Sequence, residues 1–370
     1  MIRLLTVVGA RPNFMKAAPI IHALARRPDR FGHTLVHTGQ HYDRSMSGDF
    51  FDVLGMPAPD VNLDVGSGTH AQQTARVIEA VAPVLEAAAP DVVIVVGDVN
   101  STLAAAITAK KLGLRVAHVE AGLRSRDMSM PEEINRLCVD AISDMLFTTD
   151  PIADTNLIAE GVDAKRIHFV GNVMIDTLLT HLAQAEALDY PGRCGLARGR
   201  YATLTLHRPS NVDSPERLAG IVEAVTAAAG AIPIIFPVHP RTRRALESAG
   251  LIDAQNPTAA GVRAVDPLGY LEFLSLNRSA RIVFTDSGGL QEETTALGVP
   301  CVTLRENTER PITVLEGTNR LGGVTRDGIL AAAAEAIAQG AAPARRPEKW
   351  DGRAAERIVE IIDRWAPQAA

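Results

Sequence analysis

The sequence has few cysteines, few aromatic side chains, no excess of positive charge and no long apolar run. Its three cysteines, Cys138, Cys194 and Cys301, stand far apart and form no CxxC pair, which excludes a disulfide framework or zinc finger and favours the reducing cytoplasm. The formal net charge of −6 argues against a general nucleic-acid or membrane-surface binder. No segment reaches the roughly 18 apolar residues of a membrane span. The first nine residues are predicted to form a buried strand rather than a signal peptide.

What the chain does contain is a regular alternation of two patterns. Short runs rich in Val, Ile and Leu alternate with longer amphipathic stretches. The short runs are nearly continuous in apolar residues, which is typical of parallel strands covered on both faces by helices. The class is therefore α/β with doubly wound sheets. We place strands at residues 4–8, 34–37, 92–96, 115–119, 145–148, 202–206, 233–237, 281–285 and 300–304, with helices such as 15–25, 102–112 and 214–229 between them.

The predicted strands fall into two series, separated by a stretch rich in Gly, Pro and Arg at residues 189–200. We therefore predict two Rossmann-like, doubly wound domains that face each other across a cleft, over residues 1–171 and 172–352. A last helix, within residues 353–370, carries apolar residues at helical spacing. We expect this helix to pack back on the first domain.

Polar residues follow many of the predicted strands. Ligands of open α/β sheets bind beyond the carboxyl ends of the strands, so these positions are the first candidates for a site. Two sets of strand-end groups, one in each half, predict a ligand held between the domains. The segments are GARPNFMK at 9–16, GQH at 39–41, GDVNS at 97–101, HVEAGLR at 118–124, HRPSN at 207–211, HPR at 239–241 and TDSGGLQEE at 285–293.

The last of these segments has the features of an anion site. Ser287, Gly288 and Gly289 lie between an apolar strand and a helix predicted to begin near Leu290. Glycines let the backbone approach a ligand closely, and the free amides of a helix N-terminus favour a phosphate or diphosphate. The alternative is an ordinary strand-to-helix turn with Ser287 as its N-cap. The absence of GxGxxG and of GxxxxGK[ST] argues against a dinucleotide cofactor of the usual kind and against a P-loop.

Three carboxylates are candidates for acid and base roles: Asp98, Glu120 and Glu132. Clustered carboxylates raise one another's pKa and can therefore divide those roles. Glu120 lies between apolar neighbours, which favours a functional interpretation. Asp98 has an alternative as the N-cap of the helix predicted at Thr102, and Glu132 as an ordinary first-turn glutamate after Pro131.

Cations and histidines complete the set of candidates. Arg11 and Lys16 stand at the start of the first predicted helix, where positive charge opposes the helix dipole, so a bound anion would explain them; the alternative is a solvated helix end. His207 is followed by Arg208, a pair suited to proton transfer or charge stabilisation on a phosphate-bearing substrate. A lone histidine at a strand end is more often a structural residue than a catalyst. This is the alternative interpretation for the other strand-end histidines. No HxH, HExxH or Cys/His cluster points to a metal.

Taken in order, these segments resemble those of a known family. GARPNFMKAAP, GQH, VVGDVNST, HVEAGLRS, MPEEINR, GNVMIDT, LTLHRPSNVD, FPVHPRT, DPLGYLEFL, TDSGGLQEE and ENTERP follow one another from residue 9 to 311. Together they closely resemble the motifs of the non-hydrolysing UDP-N-acetylglucosamine 2-epimerases. The resemblance implies a glycosyltransferase-B fold that binds a UDP-sugar in the interdomain cleft and forms a homodimer. It also implies interconversion of UDP-GlcNAc and UDP-ManNAc without NAD or metal.

The resemblance further implies a mechanism. The proton at C2 of the sugar is not acidic, so the family eliminates UDP across C1–C2 to give 2-acetamidoglucal and adds UDP back with the opposite configuration at C2. Matching motifs make Asp98 an acid or base at the sugar, while Glu120 and Glu132 position or exchange protons. His207 stabilises the departing diphosphate. Binding roles fall to Arg11 and Lys16 beside the phosphates, Ser287, Gly288 and Gly289 on the diphosphate, Glu293 on the ribose, Phe273 near the uracil, and to Arg136, His239 and Arg310.

Alternatives remain within and outside this family. Within it, the substrate could be a modified UDP-sugar such as a diacetamido uronic acid, or the enzyme could be a hydrolysing variant that releases ManNAc. Outside it, a glycosyltransferase of the same fold would use the same diphosphate site but would need fewer acids beside C2. A catalytically silent UDP-sugar-binding regulator is a third alternative, against which the intact candidate catalytic residues argue.

Some bacterial relatives carry a second, regulatory UDP-GlcNAc site. Asp43 stands where a second glutamine of that site is expected, so we predict weak or absent activation by substrate. Sigmoidal kinetics in UDP-GlcNAc would contradict this. The residues of this chain that resemble its lining are Gln40, Arg76, Glu132, Arg208 and His239.

Overall fold

In the computed structural model the chain divides into two compact units, each built on one seven-stranded sheet. Unit 1 comprises Met1–Thr177 and Glu348–Ala370, and unit 2 comprises Leu178–Pro347. The sequence predicts these divisions after residues 171 and 352. The structure describes residues 1–39, 51–252, 258–259, 261–340 and 346–365.

Unit 1 contains a sheet whose described strands all pair in parallel. Its strands are β1 (Ile2–Val8), β2 (Phe31–His37), β3 (Val61–Asn62), β4 (Val92–Val96), β5 (Val116–Ala121), β6 (Met145–Thr148) and β7 (Ile167–Phe169). They are ordered β3-β2-β1-β4-β5-β6-β7. Between the strands run α1 (Arg11–Ala25), α2 (His70–Ala88), α3 (Asn100–Lys111), α4 (Pro131–Ile142) and α5 (Pro151–Ala159).

Unit 2 repeats this plan with one antiparallel edge. Helix α6 (Val173–Leu188) leads into it. Its strands are β8 (Ala202–Thr205), β9 (Ile234–Pro237), β10 (Thr258–Ala259), β11 (Val262–Val265), β12 (Ile282–Thr285), β13 (Cys301–Thr303) and β14 (Asn319–Leu321). The order is β10-β11-β9-β8-β12-β13-β14, with only the β10–β11 pair antiparallel among the described strands. Its other helices are α7 (Tyr190–Arg193), α8 (Pro209–Val212), α9 (Pro215–Ala229), α10 (Pro240–Ser248), α11 (Tyr270–Arg278), α12 (Gly288–Leu297), α13 (Ile312–Leu315) and α14 (Arg326–Ala338).

The predicted class, α/β with two doubly wound sheets, is confirmed. Strands β4 and β6 are buried along their whole length, as their continuous apolar sequences predict. None of the described helices is long and apolar enough to span a membrane.

Each sheet reverses its winding direction at one point. In unit 1 the reversal falls between β1 and β4, and in unit 2 between β8 and β12. The loops that leave two such neighbouring strands diverge to opposite faces of the sheet, which opens a crevice at their carboxyl ends. The residues that follow these four strands are therefore the ones that the topology places best for a ligand.

The end of the chain returns to unit 1 as helix α15 (Ala354–Trp365). The Asp176 carboxylate accepts the backbone N–H groups of Ala354 (3.1 Å) and Ala355 (2.8 Å), and so caps this helix. Trp350 is buried and donates from Nε1 to the carbonyl of Thr149 at 3.0 Å. The end of the chain thus supplies buried side chains to the unit in which the chain begins.

Candidate active site

Asp98 stands at the reversal point of unit 1, two residues beyond β4. Its carboxylate forms an ion pair with Arg136 of α4, and its backbone carbonyl accepts from Asn135 Nδ2 at 2.8 Å. The Asp98 side chain is 22% exposed, whereas that of Arg136 is 2% exposed. The N-cap of α3 is Val99, so the alternative interpretation of Asp98 as an N-cap is wrong. Asp98 is instead paired with a buried guanidinium, and its carboxylate remains partly exposed to solvent.

The guanidinium of Arg136 is itself held by Glu133, one helical turn earlier. Glu133 Oε2 accepts from Arg136 Nε at 2.9 Å and from Nη2 at 2.6 Å. The same carboxylate accepts the backbone N–H groups of Ser125 (2.9 Å) and Arg126 (2.8 Å). Burial raises the pKa of Glu133, but the hydrogen bonds from Ser125 and Arg136 outweigh it and lower that pKa below its usual value.

Glu120 lies at the end of the neighbouring strand β5 and is buried. Its φ of +73° is a left-handed conformation that a residue with a side chain rarely adopts. The register of β5 with β6 shifts between Val119 and Ala121, so Glu120 is the irregular residue of a bulge. Bulges of this kind redirect a side chain at the rim of a sheet. Here the redirected carboxylate meets the buried ammonium of Lys16 from α1.

Gly97 lies between the two carboxylates, at a position that favours glycine. Its φ is +68°, and a Cβ there would lie 2.9 Å from Lys16 Nζ and 3.4 Å from Glu120 Oε2. The backbone before Asp98 therefore rests against the Lys16–Glu120 ion pair. The structure thus brings four predicted site residues, Lys16, Asp98, Glu120 and Arg136, to one edge of the unit 1 sheet.

Glu132 is in the first turn of α4, as the alternative interpretation predicts. Its side chain is half-buried and has no hydrogen bond or ion pair within the described part of the chain. Glu133, its neighbour, is the residue of this pair that contacts the Asp98 site. The sequence offered one signal for that distinction, since Glu133 and Arg136 are three residues apart and share a helix face.

In unit 2, His207 and Asp286 follow β8 and β12 at the reversal point of that sheet. His207 Nδ1 lies 2.8 Å from Asp286 Oδ1, with the histidine side chain 54% exposed and that of the aspartate fully buried. The backbone N–H of Arg208 (2.9 Å) and the Asn211 amide (3.2 Å) also donate to Asp286. Burial raises the pKa of Asp286, but the bonds from His207 outweigh it, so the pKa lies below its usual value.

This arrangement fixes the imidazole for proton transfer. A carboxylate that accepts from Nδ1 orients the ring and leaves Nε2 as the nitrogen that exchanges a proton with a ligand. Asp286 belongs to the anion-binding segment predicted from the sequence, but its part in holding His207 is visible only in the structure. The signal available was its position directly after a buried strand.

Ser287, Gly288 and Gly289 form the start of α12 beside this pair. Ser287 is the N-cap residue, as the alternative interpretation predicts, although its side chain makes no capping hydrogen bond. A Cβ on Gly288 would lie 2.5 Å from Arg310 Nη1 and 2.6 Å from Glu309 Oε1. Glycine is required here because a buried ion pair packs directly under the helix N-terminus.

That ion pair belongs to a larger cluster of buried charges. Glu309 binds Arg310 Nη1 at 2.6 Å and Arg305 Nη2 at 2.9 Å, and Arg310 Nε also meets Glu292 at 3.0 Å. Burial opposes ionisation of Glu309, but the charges of Arg310 and Arg305 dominate and hold its pKa far below the usual value. Glu293 is different: burial, helped by the charge of Glu292, raises its pKa to about 8. A neutral Glu293 can donate a hydrogen bond from its carboxyl group.

The remaining predicted residues are placed as follows. Phe273 is half-buried on α11 and His239 is exposed after β9. The Arg76 guanidinium donates to the carbonyl of Ser67 at 3.3 Å. Arg11 begins α1, but its side chain lies outside the description, and Gln40 and Asp43 lie outside the described residues. Among the described residues, no group of three or more His, Cys, Asp or Glu is arranged to hold a metal ion.

The fold and these strand-end groups define an α/β enzyme of the acid–base type, with a helix N-terminus suited to an anion. The chain matches the UDP-N-acetylglucosamine 2-epimerase family over residues 22–363. It is 42% identical over 370 residues to UDP-N-acetylglucosamine 2-epimerase of Methanocaldococcus jannaschii, which covers 97% of this chain and 98% of the relative. It is 43% identical over 335 residues to UDP-2,3-diacetamido-2,3-dideoxy-D-glucuronate 2-epimerase of Pseudomonas aeruginosa, at 90% and 91% coverage.

A solved structure agrees with these relatives. The crystal structure of the Methanocaldococcus jannaschii enzyme in complex with UDP-GlcNAc and UDP matches with a TM-score of 0.89 and 41% identity, over 98% of this chain and 99% of that one. The chain therefore belongs to the UDP-N-acetylglucosamine 2-epimerase family and is an isomerase. The predicted family and fold are confirmed.

Proposed function

We propose that this enzyme interconverts UDP-GlcNAc and UDP-ManNAc by eliminating UDP to give 2-acetamidoglucal and adding it back. The observation that carries the proposal is the pair of carboxylates, Asp98 and Glu120, at the ends of neighbouring strands, each paired with a buried cation. A glycosyl transfer does not break the C2–H bond and needs no such pair beside the sugar.

Inversion at C2 requires proton transfer on both faces of the sugar. In elimination, a base takes the C2 proton while the C1–O bond breaks and UDP departs with the bonding electrons. In the return step UDP oxygen attacks C1, and an acid delivers a proton to the opposite face of C2. Asp98 acts as an acid or base at the sugar, and Glu120 and Glu132 position or exchange protons. The ion pairs with Arg136 and Lys16 fix the direction in which two of these carboxylates face.

The second unit supplies groups suited to the leaving diphosphate. His207, oriented by Asp286 through Nδ1, stabilises the charge that develops on UDP as the C1–O bond breaks. The free amides at the start of α12 offer hydrogen bonds to phosphate oxygens. Arg11 belongs to the same phosphate-binding group in this proposal, and Glu293 and Phe273 bind the ribose and the uracil side.

The test is incubation with UDP-GlcNAc in D2O, followed by proton NMR. The expected result is deuterium at C2 together with growth of UDP-ManNAc. Accumulation of free ManNAc and UDP would indicate hydrolysis instead. Exchange only with UDP-2,3-diacetamido-2,3-dideoxy-glucuronate would indicate that the substrate is the one named for the Pseudomonas relative. Asp98→Asn is the matched variant, which should abolish exchange while UDP binding by calorimetry persists.

The proposal extends to the assembly and setting of the enzyme. We propose a homodimer in the cytoplasm that supplies ManNAc-type sugars for a surface polysaccharide. The described cysteines are all free, which suits a reducing compartment. Light scattering after size exclusion measures the assembly, and a monomer at working concentration would contradict this part.

A further inference from the structure

His118 is a fully buried histidine that the proposed mechanism does not use. It lies on β5, two residues before Glu120. Its Nδ1 is 2.6 Å from Asp140 Oδ1, and its Nε2 is 2.8 Å from the carbonyl oxygen of Gly97. Both partners are oxygen acceptors without a proton to give, once Asp140 is ionised. A neutral imidazole has one N–H and would turn a lone pair against one of these oxygens. Only a ring that carries both protons satisfies both contacts.

The charges around the ring balance that second proton. Asp140 also accepts from Arg124 Nη1 at 2.7 Å, and Arg124 in turn donates to Glu160 from Nε (2.8 Å) and Nη2 (2.6 Å). Two cations and two anions therefore alternate along the network, which the Arg166 guanidinium extends by donating to the Asp140 carbonyl at 3.2 Å. Burial raises the pKa of Asp140, but His118 and Arg124 outweigh it and keep that pKa below its usual value.

This network reaches both proposed catalytic carboxylates through the backbone. Asp140 Oδ2 accepts the N–H of Gly122 at 3.0 Å, so through His118 and Gly122 one carboxylate holds the chain on both sides of the irregular residue Glu120. On the other side of the ring, Gly97 directly precedes Asp98. A Cβ on the same glycine would lie 2.9 Å from Lys16 Nζ, so there is no room for a side chain between Gly97 and the Lys16–Glu120 pair.

We propose that His118 is a positioning residue, a buried imidazolium that links Asp140 to the Gly97 carbonyl and so fixes Asp98 and Glu120 relative to each other. The role of those two carboxylates rests on the proposed function, but the charge of His118 does not. Turnover therefore tests the positioning role of His118, whereas the charge of His118 is tested without any measurement of turnover.

The direct test is NMR of the full chain labelled with ¹⁵N-histidine at pH 7.5. The His118 signals are identified by their loss in His118→Gln or, if that variant does not fold, by the slow solvent exchange of a buried ring. The expected result is that both ring nitrogens carry protons. One protonated and one bare nitrogen would overturn the proposal, whether or not the enzyme epimerises UDP-GlcNAc.

The kinetic test compares Asp140→Asn with Asp144→Asn. Asp144 holds the other end of β5, where it accepts the N–H of Val116 at 2.7 Å and pairs with Lys110 at 2.9 Å. Asp140→Asn should remove one ring proton and lower kcat about 10²-fold, since small displacements of catalytic groups cost that much, with UDP affinity unchanged. Asp144→Asn should leave kcat and the His118 signals as they are. Equal losses in both variants, or none in Asp140→Asn, would mean that the network only supports the fold.

Discussion

Replacing Glu133 by glutamine tests the buried ion pair behind Asp98. The carboxylate accepts from Ser125 and Arg126 backbone N–H groups and twice from Arg136. A glutamine has one acceptor oxygen and turns an NH2 group towards donors. The buried Arg136 would keep Asp98 as a carboxylate partner but lose Glu133, the partner that holds its guanidinium in place. Removing one partner of a buried pair costs about 3 to 5 kcal/mol.

Two measurements, the melting temperature and kcat, test this expected loss. For a domain of this size, 1 kcal/mol shifts Tm by about 2 to 4 °C, so Glu133→Gln should lower Tm by about 6 to 20 °C. Because Arg136 would no longer be held in one position, Asp98 would be less precisely oriented, and kcat should also fall about 10²-fold. Glu132→Gln is the matched stability control, since its half-buried side chain lies in the same turn. It should change the free energy of unfolding by no more than about 0.5 kcal/mol.

The pH dependence gives an independent check. The folded-state pKa of Glu133 lies below the unfolded value of 4.5, so the stabilisation is present above pH 4.5 and is lost as pH falls through the folded pKa. Glu133→Gln should remove this acid-side loss. Tm values equal to wild type, or an equal drop in Glu132→Gln, would refute the reasoning.

Three further predictions rest on contacts in the structure, and a fourth rests on Asp43 in the sequence. Asp286→Asn should lower kcat by about 10²- to 10⁴-fold because asparagine has no negative charge and one acceptor oxygen fewer, and so no longer fixes the tautomer of His207, whereas UDP affinity by calorimetry should hold; unchanged turnover would exclude the pair from catalysis. Gly288→Ala should weaken UDP binding, since its Cβ would lie 2.5 Å from Arg310 Nη1, whereas Gly220→Ala, with open space around it on α9, should stabilise by about 0.5–1 kcal/mol. Burial raises the pKa of Glu293 to about 8, so folding retains a proton that the unfolded chain releases above pH 4.5; stability should fall between these values, and Glu293→Gln should flatten that fall in Tm scans. Initial rates should rise hyperbolically with UDP-GlcNAc, and a sigmoidal curve would reveal activation by substrate.

The sequence predicts the central strands well because burial on both faces leaves an unambiguous apolar run. The bounds of β4 and β6 are those predicted. Strand β5 extends to Ala121, beyond the predicted end at 119, because the bulge lets Glu120 remain in the strand. Short edge strands such as β3 and β14 were not predicted, since two or three residues carry no period.

The candidate site is likewise predicted from the sequence only in part. Asp98 and His207 follow buried strands and Glu120 lies at the end of one, and these positions alone make them candidates. Their partners depend on side-chain directions that spacing does not reveal. Neighbouring residues on a helix point about 100° apart, so Glu132 and Glu133 face different ways, and the three-residue spacing of Glu133 and Arg136 is the one local signal that distinguishes them. The partners of these residues are Arg136, Lys16 and Asp286, which come from elsewhere in the chain, and the pairs are recognised only once the sheets are assembled.

The return of the chain to unit 1 determines the order in which the two units are completed during synthesis. The first 177 residues leave the ribosome without Trp350 or the α15 side chains that fill their core. All of unit 2 is made before those pieces exist, so a nascent chain of 347 residues holds a finished second unit and an unfinished first one. Domains generally fold as units during synthesis, N-terminal first. In this protein the N-terminal unit is the last to be completed, and its apolar surface under α15 stays open to chaperones until translation has passed Ile362.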